Sequence, residues 1–352
     1  MKDLFRKEIQ QMKAYHLATP PHQVKLNQNE SAHDVPSAIK SQILVRFVET
    51  PWNRYGRPYA EELCERIGRF MGWSPEGIAV ANGSNVLIQA LMMGVAVKQT
   101  IMTVSPTFSL YRLEGQVLGN RVVEVPLLKN FAFPEEDFLR EMKRKRPQVI
   151  FLANPNAPTG NLFSEAKLLK IIESAPGLVV IDEAYYPYSQ KTLFPYLSQF
   201  PQLVLLRTFS KAFALAGIRI GYMIAHPAVI QEVRKTLLPY CMNALSQIVA
   251  MTLLDHTDIV QRWVQETVSE RDQLASALSR LPRISPIPSA ANFVSFRCPS
   301  AKKTFQGLLE QGLLVRDISD GGRLRNYLRV TVGPPHENAR FLQALRLVGC
   351  AG

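Results

Sequence analysis

The sequence is poor in the features that mark membrane-spanning, disulfide-stapled and metal-bound proteins. Its longest apolar stretch, Val86 to Val97, is broken by Gln89 and is too short to cross a bilayer. The first residues, Met-Lys-Asp-Leu-Phe-Arg-Lys-Glu, lack the apolar run of a secretory leader. Four cysteines (Cys64, Cys241, Cys298 and Cys350) lie far apart with no CxxC pair, which argues against a disulfide framework and predicts reduced thiols in a cytoplasmic protein. None of the six histidines falls in an HExxH or similar spacing, so no metal site is expected. Acidic residues are scarce, 29 against 41 Lys and Arg, giving a formal net charge of +12. The cations are nevertheless scattered, except for Lys143-Arg144-Lys145-Arg146. That tetrad closes a helical pattern beginning near Pro134, just before Pro147, and cations suit a helix C-terminus. No helix-turn-helix, zinc-finger spacing or aromatic-basic RNA motif accompanies it, so no nucleic-acid partner is expected. Part of the positive excess serves to concentrate anionic substrates.

What is present is the composition of a globular α/β protein: 47% hydrophobic residues, 24 prolines and 19 glycines in 352 residues, more chain than one ordinary core accommodates. Residues 1–45 read as an extended arm that joins part of a small domain. From 46 to 235 helical and strand patterns alternate. Tyr59 to Met71 is helical and is broken by Gly72-Trp73-Ser74-Pro75; Ile78–Ala81, Thr100–Val104 and Arg121–Val125 read as strands. Such alternation predicts a mostly parallel central sheet covered on both faces, in a large domain. From 236 to 352 the pattern changes to a long helical stretch through Arg280 and then strands near 291–297, 313–316 and 328–332, a smaller α/β domain.

Three segments carry chemistry. In Arg-Thr-Phe-Ser-Lys-Ala-Phe-Ala-Leu-Ala-Gly-Ile-Arg-Ile-Gly-Tyr (207–222), Lys211 has almost no polar company on its C-terminal side. Desolvation disfavours an ammonium, so this lysine is a candidate amine nucleophile for Schiff-base chemistry. A lysine whose stem packs on an apolar surface while its head reaches water is the competing reading. Leu-Val-Val-Ile-Asp-Glu-Ala-Tyr-Tyr (178–186) reads as a buried parallel strand that delivers acids at its C-terminal edge, where open α/β sheets bind ligands. Val-Ile-Phe-Leu-Ala-Asn-Pro-Asn-Ala-Pro-Thr-Gly (149–160) is another buried strand running into a proline-rich turn, with Ala157–Pro158 a candidate cis peptide. Gly83-Ser84-Asn85 sits between a strand and an apolar helix; Ser or Asn there caps the helix while free N–H groups face outward to attract a phosphate.

Taken in chain order, the segments at 149–160, 178–186 and 207–222 resemble the fold-type I pyridoxal-phosphate aminotransferases, and within them the histidinol-phosphate aminotransferase family, from about residue 25 to 345. The resemblance implies pyridoxal 5'-phosphate as cofactor and Lys211 as the residue that joins it and then moves the proton between substrate Cα and cofactor C4′. It implies that Gly83, Ser84, Asn85, Ser210 and Arg219 hold the phosphate, Asp182 the ring nitrogen, and Tyr185 the phenolate oxygen. Phe108 takes the place of an aromatic that stacks on the ring. Where the family commonly has a second asparagine that bonds the cofactor oxygen, this chain has Ala157; Asn156, one residue earlier, is expected to bind the cofactor in its place, or Tyr185 to act alone. Arg219 is expected to be buried against a specific partner. Arg329 and Arg316 match substrate-clamping arginines, with Tyr15 and Asn29 closing over the substrate. Tyr55 matches a tyrosine that reaches the neighbouring subunit's phosphate, which implies a homodimer. The substrates implied are histidinol phosphate and the glutamate/2-oxoglutarate pair. An aromatic aminotransferase, a phosphothreonine decarboxylase of the same fold and a non-catalytic ligand-sensing module are the alternatives.

Overall fold

The computed structural model describes residues 1–12, 14, 19–320 and 322–349. Among the described residues, thirteen strands form three sheets. β1 (Val24–Lys25) precedes the strands of the main sheet: β2 (Ile78–Ala81), β3 (Thr100–Ser105), β4 (Arg121–Pro126), β5 (Val149–Ala153), β6 (Leu178–Asp182), β7 (Leu203–Thr208) and β8 (Gly221–Ala225). Their spatial order is β2-β8-β7-β6-β5-β3-β4, with β8 antiparallel to both neighbours and the remaining pairs parallel. β9 (Ser285–Pro286), β10 (Phe293–Arg297), β12 (Arg316–Asp317) and β13 (Tyr327–Thr331) make an antiparallel sheet ordered β12-β13-β10-β9. β11 (Leu313–Leu314) pairs in parallel with β1 and so ties the N-terminal arm to the smaller body.

The central strands are mostly apolar on both faces because both faces are covered. Successive residues alternate between two cores: Ile150, Leu152, Val179, Ile181, Leu203 and Leu205 enter one, and Val149, Phe151, Val180, Val204 and Leu206 enter the other. The period of two is that of an extended strand. A third core lies under the small sheet and includes Val24, Leu26, Val294, Phe296, Leu328 and Phe341.

The expected boundary at residue 236 is displaced. Helix Ala244–Asp255 packs Val249, Ala250 and Leu253 into a core of the main sheet. The following helix, Thr257–Ser279, contributes Val260 and Val264 to that same core but Leu274 and Leu278 to the small body's core. Helical periodicity alone does not show which partner a helix packs against, so the passage between bodies falls inside a helix.

Directly behind the strand ends lies a buried ion pair. Arg207 donates from Nε and Nη2 to Glu183 Oε2 at 2.9 and 2.8 Å, and both side chains are almost wholly removed from solvent. Thr192 and the Leu193 amide satisfy the rest of the carboxylate, and the guanidinium lies 3.8 Å above the Tyr186 ring. Removing one partner of such a pair leaves a bare buried charge. Arg207→Ala is expected to lower stability by about 3–5 kcal/mol, read from urea denaturation midpoints; a change below about 1 kcal/mol, the scale of an exposed pair, would show that the pair does not hold these strand ends.

Candidate active site

β5, β6 and β7 run parallel, so the Asn154–Gly160 turn, Asp182 and the Ser210–Lys211 segment all emerge at one edge of the sheet. Helix Ser84–Val95 starts beside them, because β2 feeds it and β8 packs against its first turn. The helix begins at Gly83, with φ of +89°, and no side chain caps it. The cap expected from Ser84 or Asn85 is therefore absent: Ser84 is half-buried in the first turn and Asn85 is exposed. A Cβ on Gly83 would stand 2.6 Å from Arg219 Nη2, and one on Gly221 would collide with the Ser84 amide nitrogen. These two glycines let a guanidinium and a strand close on a bare helix start.

Arg219 adopts the left-handed region, φ 60°, and donates from Nη1 to Ala216 O at 3.0 Å and Ser210 Oγ at 3.4 Å. Its side chain is exposed rather than buried as expected, since it rims the opening over Gly83. An uncapped helix N-terminus, a guanidinium and a buried hydroxyl together form a cradle for a phosphate.

Lys211 donates from Nζ to Gln28 O at 3.0 Å and stands 5.9 Å from the centroid of the Tyr185 ring. Water still reaches part of the side chain, but protein surrounds the amine. Burial, reinforced by the positive charge of Arg329, pushes its pKa down to about 7; Glu30 opposes this. A surface lysine with its head in water does not fit that setting.

Asp182, only 6% exposed, ends β6. The Tyr111 hydroxyl donates to its Oδ2 at 2.7 Å and the Ala184 amide to its Oδ1 at 3.1 Å. Desolvation raises the pKa of this carboxyl, and the two hydrogen bonds work against it. Tyr185 is buried with its hydroxyl accepting from Asn29 Nδ2 at 2.9 Å. Burial raises its pKa, while Arg329 and the Asn29 bond lower it. Phe108 is half-buried and meets Tyr111 edge-on at 5.5 Å.

Asn29 reaches this site from the arm. Its amide donates to Thr331 Oγ1 at 2.9 Å, and its carbonyl accepts from Asn292 Nδ2 at 3.1 Å, which anchors it to the small sheet. Two residues earlier, Asn27 O accepts from Arg329 Nη2 at 2.9 Å, and the Arg329 guanidinium lies 5.2 Å from the Phe293 ring centroid. Arg316 is half-buried directly opposite Arg329 across β12 and β13, so two cations stand side by side at the cleft, an arrangement suited to an anion.

Asn156 does not take the expected role. Its Nδ2 donates to Pro106 O at 3.0 Å and Thr159 Oγ1 at 2.7 Å, and its Oδ1 accepts from Thr107 Oγ1 at 2.7 Å. Both amide protons are spent on holding two turns together, so none is left for a ligand. Ala157–Pro158 is cis, as are Ser105–Pro106 and Asn154–Pro155. Tyr55 is 85% exposed and touches Tyr240, ring centroids 4.9 Å apart, with no polar partner among the described residues. Tyr15 lies outside the described residues.

Two features of the site are not apparent in the sequence. Tyr111 is one aromatic among several there, although it follows Phe108 by three residues, the spacing that puts both on one side of a helix start. The backbone carbonyls of Asn27 and Gln28 have no side-chain signature at all. The phosphate cradle, the buried acid and the amine between two guanidinium groups fit a phosphorylated ring cofactor carrying an aldehyde, on the donor chemistry of Gly83, Ser210, Arg219, Asp182 and Lys211.

A desolvated amine, a buried acid and two arginines gathered at one strand edge are the groups a transaminase-type centre needs, and the chain belongs to a family of that kind: the profile of aminotransferase class I and II matches residues 21–345. A histidinol-phosphate aminotransferase from Caldanaerobacter subterraneus subsp. tengcongensis is 33% identical over 349 residues, 98% of this chain and 99% of that protein. One from Pyrococcus furiosus is 37% identical over 339 residues, 96% of each chain. In structure, the histidinol-phosphate aminotransferase from Sinorhizobium meliloti, solved in complex with pyridoxal-5'-phosphate, superposes with a TM-score of 0.88 at 24% identity, covering 98% of this chain and 97% of that one.

The depressed amine is open to a direct check. In apoprotein, acylation of Lys211 by a limiting amount of an acylating reagent should rise with pH to a midpoint near 7, far below the ordinary lysine value of about 10.4. Arg329→Gln removes a repelling charge and should move the Lys211 midpoint upward. A wild-type midpoint equal to that of the exposed lysines would refute the desolvated setting.

Proposed function

We propose that this aminotransferase uses pyridoxal 5'-phosphate to transfer the amino group of histidinol phosphate to or from the glutamate/2-oxoglutarate pair, in histidine biosynthesis. The observation that carries the reading is the position of Lys211: its amine is held near neutrality between Arg219, at the phosphate cradle, and Arg329, at the substrate cleft. The near-full-length identity to proteins named for this activity supports the substrate choice.

The cofactor, when bound, supplies an aldehyde that holds the amino group and a ring that accepts the electron pair left at Cα. Arg219, Ser210 and the Ser84 amide bind the phosphate, and Ser84 and Asn85 border it. Asp182 accepts a hydrogen bond from the ring nitrogen and keeps that nitrogen cationic. Tyr185 holds its hydroxyl towards the ring oxygen, steadied by Asn29, and Phe108 covers a face of the ring. Arg329, with Arg316 opposite it, clamps the α-carboxylate of glutamate, and the same pair of cations takes the phosphate of histidinol phosphate, which has no carboxylate. Lys211 Nζ takes the proton from substrate Cα and would deliver it to cofactor C4′, as a group with a pKa near the working pH does best.

The active form in this reading is a homodimer with Tyr55 reaching the partner's cofactor phosphate. Supporting this, Leu44, Val45, Val48, Trp52, Tyr55, Leu238 and Tyr240 are all exposed, and the Tyr55–Tyr240 and Phe47–Trp52 contacts join several of them in pairs. Among the described residues no helix is long and apolar enough to cross a membrane; a cytoplasmic location belongs to the proposal.

A panel of amino donors assayed against 2-oxoglutarate tests the substrate: histidinol phosphate should give the highest kcat/KM, and carbon dioxide release from phosphothreonine without keto-acid turnover would overturn the assignment. Lys211→Ala should lose at least about a thousandfold in kcat, and borohydride treatment of the wild-type holoenzyme should fix the cofactor on the Lys211 peptide.

Subunit sharing has its own test. Tyr55→Phe mixed with Lys211→Ala should regain activity on subunit exchange, because one site of each hybrid then carries neither change. If Tyr55 served its own chain, activity would stay at the average of the two parents.

A further inference from the structure

The acid at the end of β6 does not stand alone. Tyr111 has no exposed surface, its ring lies nearly parallel to Phe151 with centroids 5.0 Å apart, and among the described residues its hydroxyl donates to Asp182 Oδ2 alone. The tyrosine is thus packed so that its only polar side-chain atom meets the carboxylate from inside the protein. We propose that Tyr111 is the positioning residue of the site: by donating to Asp182 it fixes the carboxylate and limits its basicity, so that the shared proton stays on the ring nitrogen of the bound cofactor rather than moving to Asp182. This rests on Asp182 being the partner of that nitrogen.

The surroundings of the carboxylate explain why a donor is needed. Buried as it is, and beside the carboxylate of Glu183, Asp182 is driven towards the neutral acid. A neutral acid cannot stabilise a cationic ring. Two donors oppose that drift, the Ala184 amide on Oδ1 and the Tyr111 hydroxyl on Oδ2. Hydrogen bonds to the charged form favour it, and those to a charged acceptor are among the stronger ones. Each carboxylate oxygen has two acceptor positions, so Oδ2 still has one for the ring N–H while Tyr111 holds the other. The backbone donor is fixed by the chain; the tyrosine is the one that sequence sets.

Tyr111→Phe keeps the ring on Phe151 and removes only the donor. Holoenzyme loaded with cofactor carrying a heavy nitrogen isotope in its ring reports the nitrogen's protonation directly by NMR. In Tyr111→Phe the signal should move from the wild-type position towards that of the unprotonated ring, and kcat should fall by about tenfold. A variant with the wild-type ring-nitrogen signal overturns the proposal whatever its stability, because loss of packing alone does not deprotonate the ring. Asp182→Asn, measured alongside, should move the signal further; if it leaves the signal unchanged, the Asp182 assignment fails first. Should Tyr111→Phe not fold, wild-type protein labelled at the tyrosine hydroxyl-bearing carbon gives the same answer. One signal, distinguished from that of Tyr185 by Tyr185→Phe, should shift on cofactor addition and cease to do so in Asp182→Asn; no such shift overturns the proposal.

Discussion

A carboxylate buried at the end of a β-strand is the constraint around which this site is organised. Asp182 stays useful as an anion only while donors reach it, so the helix after β3 must deliver Tyr111 and the chain after β6 must turn back to offer the Ala184 amide. The next residue, Glu183, faces the opposite problem and solves it with Arg207 from the adjacent strand. Two consecutive acids therefore point into separate polar networks, as the alternation of a strand requires. One network lies at the candidate site; the other fastens β6 to β7 directly behind it.

The second organising element is the short segment from Asn27 to Glu30. It belongs to the arm, pairs through β1 with the small body, and touches the main body at Lys211 and Tyr185. Asn27 O and Gln28 O occupy the guanidinium of Arg329 and the amine of Lys211, the groups that a substrate carboxylate and a carbonyl would engage. Without such neighbours both cations would face each other across the cleft, and their mutual repulsion already contributes to the low pKa of the amine.

Much of this is legible in the residues. Continuous apolar runs at 149–153 and 178–182 read as strands because a sheet covered on both faces needs no polar alternation, and the residues just after them carry the site. The segment from Ser210 to Arg219 is legible because alanines and phenylalanines around a lysine strip water from its amine, whatever the fold. What cannot be read has physical causes. The cap at Gly83 is missing because the helix start faces Arg219, a contact distant in sequence. Asn156 is consumed by Pro106, Thr107 and Thr159, which only the folded turns bring together. Tyr111 is one more aromatic in a helix until the fold places its hydroxyl on Asp182. The boundary near 236 moves because helix Ala244–Asp255 packs against the main sheet, and periodicity shows that a face is buried without naming the partner.

The helix from Thr257 to Ser279 has a mechanical consequence. With Val260 and Val264 gripped by one core and Leu274 and Leu278 by another, it is a single rod about 35 Å long, at 1.5 Å per residue, set in two sockets. Neither body can melt without tearing apolar side chains of the rod from its own socket and loosening the half that sits in the other. The two cores are therefore coupled through the rod, and heating is expected to unfold them in one transition although the strands form separate sheets.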